Sequence, residues 1–165
     1  EVHAVEMDPG ARPWLEQNAR LAPINVHQAD IDGCLPDLDA KVDLVVANPP
    51  YIPTDAVPRD VEVARFDPEL ALYGGTDGLD HIRTVERVAA RLVRPGGWVV
   101  VEHADQQGES APEVFATAAG WSQVSDHRDL AGRARFLTAR RDVDPGVDPR
   151  VDPGVDTGVV AKQAH

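Results

Sequence analysis

The sequence predicts an α/β domain: a mostly parallel sheet covered by helices on both faces, with an antiparallel hairpin at one edge. Three observations carry that expectation. Two short continuous apolar runs, VDLVVA at 42–47 and WVVVE at 98–102, have the composition of strands buried on both faces. Between them, Leu79, Ile82, Val85, Val88, Ala89 and Leu92 recur at helical spacing. Strand and helix signals then alternate along most of the chain, which is the pattern of crossover units feeding a parallel sheet.

Taken in order, residues 2–6 alternate weakly and read as a strand. Asp8-Pro9 follows at once and predicts a helix with Asp8 as its cap and Pro9 at its first position. That helix is expected to reach about Leu21 and to turn Trp14, Leu15 and Ala19 toward the core, before Pro23 ends it. Residues 25–29 form a short candidate strand, and the polar segment 31–41, with Gly33 and Pro36, reads as a loop. The strand at 42–47 is stopped by Asn48-Pro49-Pro50-Tyr51; two prolines cannot continue a central strand, so the tetrad belongs at its carboxyl end.

A long loop follows over 52–76, with a helical turn near 68–72, and then the helix 79–92. Pro95-Gly96-Gly97 turns the chain into the strand 98–102. A further helix is expected over 108–119, with Pro112 in its first turn, and strands at 121–127 and 134–140 are joined by a turn around Gly132. After Arg141 the composition changes to a four-residue repeat, Asp144-Pro145-Gly146-Val147 and its two successors. The expected organisation is one domain over 1–141 and a low-complexity, disordered tail over 142–165 without a catalytic role.

Bulk properties narrow the function. With 28 acidic against 16 basic side chains, the net charge of −12 leaves no electrostatic footprint for a phosphate backbone, and direct nucleic-acid binding is not expected. Arg83, Arg87, Arg91 and Arg94 line one helical face and read as its solvated side. A single cysteine, Cys34, excludes an intrachain disulfide and a cysteine zinc cluster, and the six histidines form no metal constellation. No segment approaches the roughly 20 apolar residues of a membrane span, and the cytoplasm is the expected location.

The tetrad is the strongest site candidate, because open sheets place ligands at the carboxyl ends of their strands. A planar nitrogen conjugated to a carbonyl or a ring is a poor nucleophile that must be held by acceptors in its plane and by stacking above it. The Asn48 carboxamide oxygen and the Pro49 carbonyl supply two acceptors, and Tyr51 supplies a flat partner. Such a pair aims the nitrogen lone pair at an electrophilic methyl group without a nearby general base.

On these residues the chain resembles the methyltransferase domain of the HemK/PrmC family, the release-factor glutamine N5-methyltransferases. The resemblance runs from Val2 through Arg140. It is most specific at Asn48 to Ile52, at Arg65-Phe66-Asp67-Pro68 with Ala71-Leu72, at the Gly78 to Ile82 helix entry, and at Glu102-His103 with Gln107-Gly108. It implies a Rossmann-like class I fold with S-adenosylmethionine as cofactor and peptide-chain release factors as protein substrate. By the same resemblance Glu6 binds the ribose hydroxyls, Asp30 lies beside the adenine with Ile31 packed on the ring, and Asn48 borders the reacting methyl. The substrate amide then falls to Asn48, Pro49 and Tyr51, with Pro50 beside them in the substrate site and Arg65, Phe66 and Pro68 in the loop segment that helps close the pocket.

The chain departs from the family pattern in one respect: it has neither the first strand and its glycine-rich loop nor the helical domain before them. It is therefore expected to be a truncated form whose sheet lacks its first strand. The alternatives are an adenine-N6 methyltransferase, whose acceptor nitrogen is also planar, and a non-catalytic remnant acting as a binding module.

Overall fold

The computed structural model describes residues 1–56, 68, 71–143 and the backbone of 158–162. Its strands are β1 (Val2–Glu6), β2 (Ile24–Gln28), β3 (Val42–Asn48), β4 (Val93–Glu102), β5 (Trp121–Arg128), β6 (Ala134–Arg141) and β7 (Gly158–Lys162). The helices are α1 (Arg12–Ala19), α2 (Asp80–Leu92) and α3 (Ser110–Thr117). One sheet results, in the order β2-β1-β7-β3-β4-β6-β5. The pairings from β2 to β4 are parallel, whereas β6 runs antiparallel to both β4 and β5, as the predicted edge hairpin requires.

The core forms where the two apolar strand runs meet the apolar stripe of α2. Ile82, Val85, Val88, Ala89 and Leu92 are buried against Val42, Val45, Val99 and Val101, and removal of this much apolar surface from water is the dominant stabilising term. On the far end of the sheet the fully buried Phe115 meets Trp121 edge-on, ring centroids 5.3 Å apart, and Trp121 Nε1 donates to Glu86 at 2.8 Å. The arginine row of α2 and its C-terminal end is solvated but fully occupied with aspartates. Arg83 pairs with Asp77 and Asp80, Arg87 with Asp32, Arg91 with Asp39, and Arg94 with Asp43.

Three local expectations are corrected. The first helix starts at Arg12, not at Pro9, because the Asp8 carboxylate accepts the Gly10 amide at 2.8 Å in a local turn, and Pro13 takes the helix entry. Trp14 does not face the core: it is 68% exposed, and α1 has no buried residue, because the short helix lies along β2 at the margin of the sheet. β4 begins at Val93, which pairs with Val42; the ladder shifts over the following residues and resumes at Leu44 with Trp98, so the Pro-Gly-Gly turn is an irregularity inside the strand.

The largest difference concerns the tail. Residues 144–157 and 163–165 lie outside the described residues. For residues 158–162 the expectation of disorder gives way to a central strand. β7 runs parallel between β1 and β3, pairing Val2 to Val5 with Gly158 to Ala161 and Leu44 to Asn48 with Gly158 to Lys162. The position expected to be empty for want of a first strand is thus filled from the other end of the chain. Two facing strand edges carry many unpaired N–H and C=O groups, and GVVAK is the stretch after Arg141 that combines a β-branched pair with freedom from proline.

Candidate active site

β3 carries Asn48 to the carboxyl edge of the sheet, and Pro49, lacking an N–H, ends the ladder there. Pro49 and Pro50 are buried, so the turn is packed from below. A second segment grips it. Ile52 N donates to Leu72 O at 2.9 Å, Gly74 N to Ile52 O at 2.8 Å, and Asp80 N to Gly74 O at 2.9 Å. At Gly74 any side chain is excluded: a Cβ there would stand 2.6 Å from Gly78 O and 2.7 Å from Pro50 O. The tetrad, the 72–78 turn and the entry to α2 therefore pack backbone on backbone.

In front of the tetrad lies a cleft of about 230 Å³, open on one side and lined by Val5, Met7, Asp30, Ile31, Asn48 and Pro49, with Asp32, His81 and Thr84 completing the wall. This is a little below the roughly 300–1,000 Å³ of small-molecule sites. Four predicted residues, Asp30, Ile31, Asn48 and Pro49, thus come from the ends of two separate segments to one surface. Asp30 closes its own turn by accepting Asp32 N at 3.0 Å, and Asp32 accepts Arg87 at 3.3 Å.

Glu6 is placed differently. Its neighbours Val5 and Met7 line the cleft, whereas Glu6 is buried, 4% exposed, and takes the Asp8 amide on Oε1 at 2.7 Å. Strand alternation is the reason, since adjacent side chains leave opposite faces. Tyr51 is not among the residues that line the cleft; it is half-buried beside Glu102, Asp105 and Arg135. Burial and then the Glu102 carboxylate push its phenol above the usual value, while the hydrogen-bonded Arg135 guanidinium pulls it back. Arg65 and Phe66 lie outside the described residues.

His103 is fully buried: Nδ1 donates to Ala104 O at 2.9 Å and Nε2 lies 3.1 Å from Asp126 Oδ1. It is a packing and anchoring group of the β4 end and does not line the cleft. Sequence reading missed Asp32, His81 and Thr84 at the cleft. The available signal was positional: a helix that follows the tetrad's loop brings its first turns to the same sheet edge.

No family model matches the chain. Curated relatives do. The release factor glutamine methyltransferase of Streptomyces coelicolor is 51% identical over 141 residues, 85% of this chain and 50% of its own length. That of Mycolicibacterium smegmatis is 44% identical over 142 residues, again 85% of this chain and 50% of its own. The 4-amino-L-phenylalanine/4-methylamino-L-phenylalanine methyltransferase of Streptomyces pristinaespiralis is 41% identical over 124 residues, 75% of this chain and 42% of its own. Among solved structures, a methyltransferase from Pyrococcus furiosus matches with TM-score 0.60 at 20% identity, over 87% of this chain and 64% of that one. A predicted O-methyltransferase from Agrobacterium tumefaciens matches with TM-score 0.54 at 16% identity, over 99% and 67%. These likenesses and the strand order give the Rossmann-like fold of class I S-adenosylmethionine-dependent methyltransferases. The chain spans about half the length of the curated relatives it matches, and across that half its sequence is similar to release factor glutamine methyltransferases.

Proposed function

We propose that this chain carries the methyl-transfer half of an enzyme that methylates the side-chain amide nitrogen of a glutamine in peptide-chain release factors. The observation that carries the reading is the meeting of Asn48 and Pro49 with Asp30 and Ile31 on one cleft at the carboxyl edge of a parallel sheet. The donor set fits a nucleoside-bearing methyl donor. Ile31 offers an apolar wall for a flat base, Asp30 an acceptor for its edge, and Asn48 and Pro49 polar groups beside the reacting end. S-adenosylmethionine supplies an electrophilic methyl group when bound.

The remaining steps belong to the chain's own residues. Asn48 Oδ1 and Pro49 O accept the two hydrogens of the glutamine amide and fix its plane. Holding the nitrogen this way turns its lone pair toward the cleft, and orientation of a weak nucleophile is a large share of such a barrier. The two acceptors strengthen as positive charge builds on nitrogen, so they favour the transition state over the ground state. The proton leaves to solvent after the new bond has formed. Tyr51 backs the flat acceptor, and Glu6 acts on the ribose side only if its buried carboxylate turns outward.

The test is a transfer assay with isotopically labelled methyl donor and three acceptors: a release factor, 4-amino-L-phenylalanine and an adenine-bearing oligonucleotide. Methyl on the release-factor glutamine, located by mass spectrometry, supports the reading. Methyl on the arylamine would move the acceptor to the chemistry of the third relative above, and methyl on adenine to the nucleic-acid alternative. Labelling of none of them, with no saturable donor binding, would favour a non-catalytic module. A cytoplasmic location belongs with this proposal; among the described residues, no helix is long and apolar enough to cross a membrane.

A further inference from the structure

Gln107 is a polar side chain with no role in the cleft chemistry, yet it is only 6% exposed. It ends the short 3-10 turn Asp105–Gln107 that follows β4, and its carboxamide is saturated. Oε1 accepts Ala104 N at 3.0 Å, while Nε2 donates to Tyr51 O at 3.2 Å and Gly78 O at 3.1 Å, with Asp77 O at 3.5 Å. One amide therefore ties three separate segments: the end of β4, the last residue of the tetrad, and the turn entering α2. The turn that starts this bracket is anchored in its own right, because the Ala104 carbonyl accepts the buried His103 ring and the His103 backbone N–H donates to Arg135 O at 3.0 Å.

We propose that Gln107 is a positioning residue of the acceptor side of the site, fixing the Tyr51 carbonyl and through it the direction in which Asn48 and Pro49 present their acceptors. The chemistry selects a glutamine. Tyr51 O and Gly78 O are both acceptors, so they are bridged by a group with two donors on one atom, while Ala104 N demands an acceptor on the other; a carboxamide of this reach has both. A carboxylate of the same shape would face two carbonyl oxygens with no proton, and an apolar isostere would leave two buried carbonyls and one buried N–H unpaired.

The inference rests on the proposed function for its catalytic consequence but not for its structural one. The experiment therefore has two arms, on the full chain with Gln107→Glu and Gln107→Met. In the first, nitrogen-15 shifts of Ile52 and Leu79 are recorded, since these amides share peptide planes with the Tyr51 and Gly78 carbonyls. Both should move in each variant while the amides of β5 stay in place, and in Gln107→Glu they should return toward wild type as acid protonates the carboxylate and restores one donor. In the second, kcat for methyl transfer to release factor should fall about 10- to 100-fold, the scale of a slightly misplaced reactant, with the KM for the methyl donor within about twofold.

Unmoved Ile52 and Leu79 shifts in the folded variants, or unchanged kcat, would overturn the proposal. So would a loss of kcat that acid does not partly restore in Gln107→Glu relative to Gln107→Met. If the wild-type chain transfers no methyl group, the functional reading fails and the shift arm alone decides Gln107. Should Gln107→Glu not fold at neutral pH, the smaller Gln107→Asn, which keeps the amide but shortens its reach, is expected to show the same two shifts.

Discussion

Replacing Gly78 with alanine tests the backbone-on-backbone packing that holds the tetrad. The residue has φ of +74°, and a Cβ there would overlap Tyr51 O and stand 2.7 Å from Gln107 Nε2. The left-handed conformation by itself costs a non-glycine residue about 1–2 kcal/mol. The steric part adds to it: Tyr51 O is backbone and cannot rotate away, so the Tyr51 peptide or the Gln107 amide must retreat, leaving a buried polar group unpaired at about 1–3 kcal/mol. The expected total is about 2–5 kcal/mol. Gly33→Ala is the internal control, since Gly33 has φ of +80° and a Cβ added there would meet nothing within 4 Å. It isolates the conformational cost, about 1–2 kcal/mol. Urea titrations of wild type and both variants, followed by tryptophan fluorescence, give the difference. If Gly78→Ala costs no more than Gly33→Ala, the close approach is not a constraint and the packing argument for the tetrad is wrong.

Three further outcomes are expected. Asn48→Ala removes one of the two amide acceptors and should lower kcat for release-factor methylation by about 100-fold or more, while calorimetry finds methyl-donor binding weakened much less; equal losses in both would place Asn48 on the donor side. Acidification should destabilise the fold in two windows. Burial and then the His3 ring, 2.9 Å away, hold the His27 imidazole below its ordinary pKa of 6.5, so the unfolded chain takes up that proton first and stability falls as pH drops below about 6.5. Asp129, with its carboxylate held down to about 2 chiefly by the Arg133 amide, adds a loss between about 4 and about 2. Urea midpoints measured against pH should show a shallower upper window in His27→Gln. Deleting residues 144–165 should speed amide exchange in β1 and β3 at least ~tenfold, because both strands then present open edges; unchanged exchange there would mean that β7 contributes no pairing.

The architecture was legible in the chain because its signals are periodic and local. The apolar runs at 42–47 and 98–102 and the stripe of α2 are dictated by burial on known faces, and all six stripe positions from Leu79 to Leu92 are buried. The tetrad's location was equally legible, since two consecutive prolines cannot continue the central strand that runs into them. Where the sequence misled, the competing term was tertiary. Trp14 is apolar and sits at a helical position, but α1 finds only the margin of the sheet beneath it. Asp8 had a nearer amide to accept than that of a helix beginning at Pro9.

What only the tertiary structure decided is which distant groups meet. That Asp30 and Asn48 share a cleft, that Glu6 is turned into the protein between two cleft residues, and that Gln107 binds the tetrad all depend on strand order and on the face a side chain leaves, which no local pattern encodes. The same holds for β7: its five residues carry too little signal to compete with the proline and glycine around them, and what selects them is the pair of facing edges that β1 and β3 present. Sequence determined the elements, because each depends on its own periodicity; the site depends on long-range pairing, and so it emerged only when the sheet was assembled.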